Sequence, residues 1–310
     1  MSQPLPDRAP TGAEPWFEGF ETARVAVNGT ELFVRTGGDR TRPALLLLHG
    51  FPQTHVLWHR VATQLARDYF IVMPDLRGYG DSAQPPGLPD HANYSKRTLA
   101  ADMAALMTQR GAHRFFLCGH DRGGRVAHRL ALDHPTRVDK LCLIDIAPTL
   151  DMYAATDMAF ARGYYHWFHL IQPAPLPETM IGADPKMYLH AKLGGWGAGG
   201  LAAFEPRALA EYERCFCRPA AIHAACEDYR ASAGIDLEHD RESRARGERI
   251  ACDTLVLWGR RSLVGRLFKP LPLWQAQCAG KVSELALDAG HFIAEELPRE
   301  TADALWSFLR

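Results

Sequence analysis

Phe115-Phe116-Leu117-Cys118-Gly119-His120-Asp121-Arg122-Gly123-Gly124-Arg125-Val126 is the stretch on which the reading of this chain turns. The unbroken apolar run at its start is what a strand buried on both faces looks like. Residues 125–133 have the spacing of a helix. Between them sits Gly119-x-Asp121-x-Gly123, where flanking glycines let the backbone reverse sharply and let a helix approach a strand. With serine in the middle, such a strand-turn-helix presents a nucleophile above a sheet. Here the presented residue is Asp121.

Working outward, strand and helix signals alternate. Residues 23–27 and 31–36 predict a hairpin turning at Asn28-Gly29. The apolar run 44–48 predicts a buried strand that ends in His49-Gly50-Phe51-Pro52. Helix 58–68, strand 70–73, helix 98–110 and strand 141–145 continue the rhythm, which argues for a mainly parallel sheet with helices on both faces. The rhythm breaks after Pro148 and returns with strands at 254–258 and 284–287 and a last helix running to Arg310. The expected organisation is a flexible lead-in over residues 1–16, an α/β core over 17–148 and 249–310, and a helical cap over 149–248.

The 310 residues are 47% hydrophobic, enough for a sizeable core. Lys+Arg (35) balance Asp+Glu (36), so no global field would draw nucleic acid or an anionic membrane, and any counter-charge for a ligand must be local. The seven cysteines are scattered without CxxC spacing, which predicts reduced thiols and a cytoplasmic location. Residues 1–14 lack the apolar stretch of a signal peptide, and no run reaches membrane-spanning length.

An aspartate nucleophile attacks saturated carbon and leaves an alkyl ester, so a general base is needed to hydrolyse that ester. His291, in Ala289-Gly290-His291-Phe292 after the last predicted strand, is the expected base. Its orienting acid should follow one of the strands after the nucleophile. The segment 257–265 holds no carboxylate, whereas Asp145 closes the strand Leu143-Ile144, so Asp145 is the candidate. Asp288 is too near His291 in sequence to reach its outer nitrogen. The backbone N–H groups of Phe51 and Arg122 are the expected oxyanion hole.

Arg122 and Arg125 sit at the start of a helix, where the backbone dipole disfavours cations. An anion should offset them. A substrate carboxylate fits, because a guanidinium grips a carboxylate through two parallel hydrogen bonds.

Together with His49-Gly50-Phe51-Pro52, Asp145 and Tyr165-His166-Trp167, the nucleophile stretch resembles the haloacetate dehalogenases, specifically the fluoroacetate dehalogenases, of the α/β-hydrolase superfamily. The resemblance runs from about residue 18 to the C-terminus and includes Cys226-Glu227-Asp228-Tyr229-Arg230. It implies an eight-stranded, mostly parallel sheet, a halide pocket of His166, Trp167 and Tyr229, and a substrate carboxylate held by Arg122 and Arg125. It also implies a homodimer and a small anionic haloacetate as substrate. No metal or organic cofactor is expected, because water and side chains supply every group of the two-step reaction. Two features depart or stand apart: Gly124, where the family more often has alanine, and the basic segment 260–266. Trp196 is read either as a gate to the pocket or as core packing. Epoxide hydrolysis uses the same Asp-His-Asp machinery with cap tyrosines to protonate the oxygen, but would leave the arginine pair without a purpose. A non-catalytic ligand receptor on this fold would have no need to keep all three groups.

Overall fold

The computed structural model describes residues 16–310. The lead-in expected over 1–16 lies outside the described residues except for Trp16, whose ring packs 5.1 Å from that of His59. The predicted hairpin is present as β1 (Glu21–Val27) and β2 (Thr30–Gly37), with Val27 opposite Thr30. Asn28 and Gly29 both take positive φ, 44° and 72°, as a two-residue type I′ turn requires.

β3 (Ala44–Leu48), β4 (Phe70–Pro74), β5 (Phe115–His120), β6 (Val138–Ile144), β7 (Asp253–Gly259) and β8 (Val282–Leu287) complete one sheet in the order β1-β2-β4-β3-β5-β6-β7-β8. β2 joins β4 antiparallel, and every pair from β4 to β8 is parallel. β3 is buried along its whole length, and each of its leucines contributes about 1.5–3 kcal/mol by leaving water. That makes the middle of the sheet a stiff platform.

Three helices connect the first strands: α1 (His59–Leu65), α2 (Lys96–Gln109) and α3 (Arg122–Asp133). α3 starts three residues earlier than the spacing predicted, directly after Asp121. Gly123 and Gly124 do not delay it, because close packing needs them bare. A Cβ on Gly123 would lie 2.3 Å from the His49 carbonyl oxygen, and one on Gly124 2.7 Å from Ile146 Cδ1.

Between β6 and β7 the described residues form helices and no strand: Thr149–Ala154, Met158–Gly163, Tyr165–His169, Leu176–Ala183, Pro185–Trp196, Pro206–Phe216, Pro219–Ala233 and Ile235–Ala245, here α4 to α11. Proline opens α8, α9 and α10, at the position where a missing N–H costs nothing. Asp184 and Glu205 cap α8 and α9 by accepting first-turn N–H groups. The glycine-rich stretch 193–200 is half helical, since α8 continues through Gly194 and Gly195 to Trp196. α12 (Leu263–Leu267), α13 (Pro270–Gln275), α14 (Ile293–Glu296) and α15 (Pro298–Leu309) close the chain.

Because β5, β6 and β8 are parallel, Asp121, Asp145 and His291 all emerge at the same edge of the sheet, beyond the strands' C-terminal ends. That edge is where open α/β sheets bind ligands. All seven cysteines are free. No helix among the described residues is long and apolar enough to cross a membrane.

Candidate active site

Asp121 occupies the turn between β5 and α3 with φ 47° and ψ −116°. A non-glycine residue in that region costs about 1–3 kcal/mol, and such strain is retained where surrounding packing over-determines it. The turn aims the carboxylate away from the sheet. Oδ1 accepts the Phe51 backbone N–H at 2.9 Å, so Oδ1 already occupies one arm of the expected oxyanion hole. Arg122 is the first residue of α3, where the backbone N–H has no intrahelical acceptor. Burial opposes ionisation of Asp121, but the charge of His291, followed by those of nearby groups including Arg125 and Arg122, outweighs it and holds the carboxyl below its usual range.

His291 Nε2 stands 3.9 Å from Asp121 Oδ2. On its other side, Nδ1 lies 2.6 Å from Asp145 Oδ2, which fixes the proton on Nδ1 and turns the Nε2 lone pair toward Asp121. Burial pulls the His291 pKa down. The hydrogen bond and charge of Asp145, then the charges of Asp121 and Glu296, raise it above the ordinary histidine value. The other oxygen of Asp145 accepts from the Gly259 N–H at 3.0 Å and the Ser262 hydroxyl at 2.7 Å. Ser262 went unnoticed in the sequence although it lies in the basic segment 260–266. Asp288 forms a surface pair with Arg261 at 3.0 Å, which gives part of that segment a role.

Both arginines are buried. Arg122 is already paired: Nε donates to Asp228 Oδ2 at 2.5 Å and Nη2 to the Asp228 carbonyl at 2.8 Å, while the guanidinium lies 4.1 Å from the Tyr229 ring. Its Nη1 is buried without a partner. Asp228, 106 residues away, also receives Lys96 and the Tyr79 hydroxyl. Arg125 differs. It donates to Ala147 O, Thr149 Oγ1 and Met152 Sδ, and stacks on Trp167 at 4.7 Å. No carboxylate among the described residues forms an ion pair with it, and its Nε is orphaned. Burial, then the neighbouring Arg122 charge, lowers its pKa.

His166, Trp167 and Tyr229 converge over this edge. His166 lies 5.4 Å from Tyr229, and Trp167 6.5 Å from it, between ring centroids. His166 Nδ1 and Tyr229 Oη are buried without partners, an expensive arrangement unless a ligand supplies them. Burial, then nearby cations led by Lys192, drives the His166 pKa well below its ordinary value, so the ring is neutral and keeps one N–H donor. Burial holds Tyr229 protonated. The Trp196 ring packs beside them, 4.4 Å from His166 and 5.8 Å from His291. Phe51 stacks parallel to His166 at 6.0 Å.

Among the described residues one group has metal-ligand spacing, Asp81, Glu211 and Cys215. Arg214 reaches both carboxylates, at 2.6 and 2.7 Å, and Arg218 lies 3.8 Å from Asp81, so two arginines already offset their charge.

Residues 43–298 match the model of the alpha/beta hydrolase fold family. The chain is 47% identical to the fluoroacetate dehalogenase of Burkholderia sp. over 94% of its own length and 95% of that protein's. It is 29% identical to the soluble epoxide hydrolase of Corynebacterium sp. (strain C12), covering 91% and 94%. A solved structure from Nostoc sp. PCC 7120, described as an alpha/beta hydrolase, superposes with a TM-score of 0.91 at 52% identity, over 94% of this chain and 99% of that one.

Proposed function

The chain belongs to the α/β-hydrolase fold family, and from that footing we propose that it is a haloacetate dehalogenase, converting fluoroacetate and related acids to glycolate and halide. The observation that carries this reading is Arg125, a buried cation with no ion-paired carboxylate among the described residues, beside an aspartate at the nucleophile turn. Such a cation is costly until an anionic ligand arrives. The 47% identical fluoroacetate dehalogenase supports the same substrate class.

In the proposed sequence the substrate carboxylate docks on Arg125 and on the unpaired Nη1 of Arg122. Asp121 Oδ2 attacks the α-carbon, because Oδ1 is held by Phe51. The carbon–halogen bond breaks, and the halide leaves with the electron pair into the donors of His166, Trp167 and Tyr229. Those donors act where charge develops. The ester carbonyl is then Oδ1, which already accepts the Phe51 N–H, and the Arg122 N–H is the second donor this scheme assigns to it. His291, oriented by Asp145, takes a proton from water as the water attacks Asp121 Cγ. The two N–H groups hold the tetrahedral oxyanion, the Cγ–Oδ2 bond breaks, and His291 returns its proton to the departing glycolate oxygen. Asp121 keeps the oxygen that came from water. Side chains and water supply every group in this scheme.

Epoxide hydrolysis is the second reading. The orphaned Tyr229 hydroxyl, with Tyr164 5.2 Å from the shared neighbour His166, could protonate an epoxide oxygen. Arg125 has no task in that chemistry. Fluoride release from fluoroacetate, with chloroacetate, bromoacetate and styrene oxide in parallel, decides between them. Turnover of the epoxide alone refutes the dehalogenase.

The helices α4 to α11 form the cap in this reading. Met158, Tyr165, Leu176, Met180 and Met187, on α5 to α8, expose 46–73% of their surface, which supports the homodimer implied by the family. Sedimentation of a monomer at micromolar concentration would exclude it.

A further inference from the structure

The loop that carries His291 is fastened to the helical cap, and the fastening runs through one carboxylate. Glu296 Oε2 accepts the N–H of Gly290 at 2.9 Å and that of Ala198 at 3.0 Å, while Oε1 accepts the N–H of Phe292 at 3.1 Å. Two of these donors flank His291. The third belongs to the strap that follows α8. The strap is tied a second time, because the His291 N–H donates to the Trp196 carbonyl at 2.9 Å.

The two segments touch so closely that a Cβ on Gly290 would lie 2.4 Å from Ala198 N and 2.7 Å from Trp196 O. The Trp196 ring, at the head of the strap, packs 4.4 Å from His166 and 5.8 Å from His291. A single carboxylate thus joins the proposed base to the ring packed beside the proposed halide donors. Carboxylate oxygens accept backbone N–H groups through charge-assisted bonds about twice as strong as neutral ones. A leucine or glutamine at this position would not make the same three-way tie.

We propose that Glu296 is a positioning residue that clasps the His291 loop to the Trp196 strap, so that ester hydrolysis depends on the cap being seated. This rests on the two-step reading above. Glu296 touches no reacting atom in that scheme; it acts through His291, whose other charged or titratable neighbours are Asp145, Asp121, His120 and His166.

The test uses the full chain with Glu296→Gln and Glu296→Ala. Bromoacetate is supplied in a single turnover, and rapid-quench mass spectrometry follows growth and decay of the Asp121 adduct. Glu296→Ala should slow adduct breakdown about tenfold, since small displacements of a general base are costly, and slow adduct formation less, through the loosened Trp196 ring. Glu296→Gln keeps the shape without the charge. It should show a smaller slowing, with the acid limb of the breakdown rate moved to lower pH. Hydrogen exchange gives a readout independent of turnover: amides 196–198 and 290–292 should lose protection together in Glu296→Ala.

Equal slowing of both steps, unchanged breakdown, or loss of protection in only one segment overturns the clasp. If Glu296→Ala does not fold, the same criteria are applied to Glu296→Gln. If wild-type protein forms no adduct at all, the two-step reading fails first and the clasp falls with it. An adduct that forms in wild type and partitions normally in both variants defeats the clasp alone.

Discussion

Replacing Arg125 by methionine should abolish recognition of the substrate charge while leaving the fold nearly as stable as before. Arg125 is 3% exposed, and among the described residues its guanidinium meets Ala147 O at 3.2 Å, Thr149 Oγ1 at 2.8 Å, Met152 Sδ at 3.3 Å and the Trp167 ring. Burying a cation without a counter-ion costs several kcal/mol, which methionine would relieve. Against that, the Ala147 carbonyl and the Thr149 hydroxyl would each lose a donor, at about 1–3 kcal/mol apiece. These terms nearly cancel. The unfolding temperature should therefore move by no more than roughly 4 °C.

Binding does not cancel. Truncating one side of a buried, hydrogen-bonded charge pair costs about 2–5 kcal/mol, so kcat/KM for haloacetates should fall roughly 30-fold to several thousand-fold. The assay compares bromoacetate with bromoacetamide, which share a leaving group and differ in charge. Bromoacetate turnover should collapse and any bromoacetamide turnover should change little. Equal losses on both substrates, or a Tm lower by 10 °C or more, would refute the argument.

Arg122→Met should behave differently, because it breaks an existing pair with Asp228. Lys96 and Tyr79 remain to satisfy that carboxylate, so we expect a loss of about 2–4 kcal/mol, toward the low end for a broken buried pair, read as a lower denaturation midpoint along with lost activity. Asp145→Asn removes the partner that raises the His291 pKa. In wild type, ester breakdown should rise with pH through a value above the ordinary histidine 6.5, as the imidazole becomes neutral. In the variant that limb should shift to lower pH while the maximal rate falls about 10³-fold or more, as quench-flow rates across pH would show. Lys192 is buried beneath Tyr165, Tyr188 and Trp196, and burial lowers its pKa to about 7. A lysine depressed on folding penalises the native state most below that pH, and the penalty fades as pH rises toward the free value. Lys192→Met should therefore raise the melting temperature at pH 6 to 7 and lose that advantage near pH 10. The opposite trend would show that its cation–π contacts outweigh burial.

The parts of the site that sequence exposes are those tied to backbone form. Asp121 is legible because a strand-turn-helix with flanking glycines has few uses, and His291 and Asp145 because each follows a strand of the same parallel sheet. The spacing alone begins α3 only at Arg125, because glycine pairs discourage helices locally whereas contact with His49 and Ile146 demands them here; the turn at Asp121 already places Arg122 and Arg125 at the helix start. Asp228 is invisible as the partner of Arg122, since nothing local links residues on α3 and α10. An anion for the arginines is predicted, but the sequence does not reveal that one arginine brings its own. Ser262 and Glu296 are missed for the same reason. Ser262 reaches Asp145 and Glu296 reaches Ala198 across separations that only the closed fold spans.

The most direct test of the central claim is a single turnover of bromoacetate in heavy-oxygen water, followed by mass spectrometry of the peptide containing Asp121. If Asp121 is the nucleophile, its carboxylate gains the label and the first glycolate formed is unlabelled. Label found only in glycolate would mean that water attacks the substrate directly and that Asp121 forms no ester.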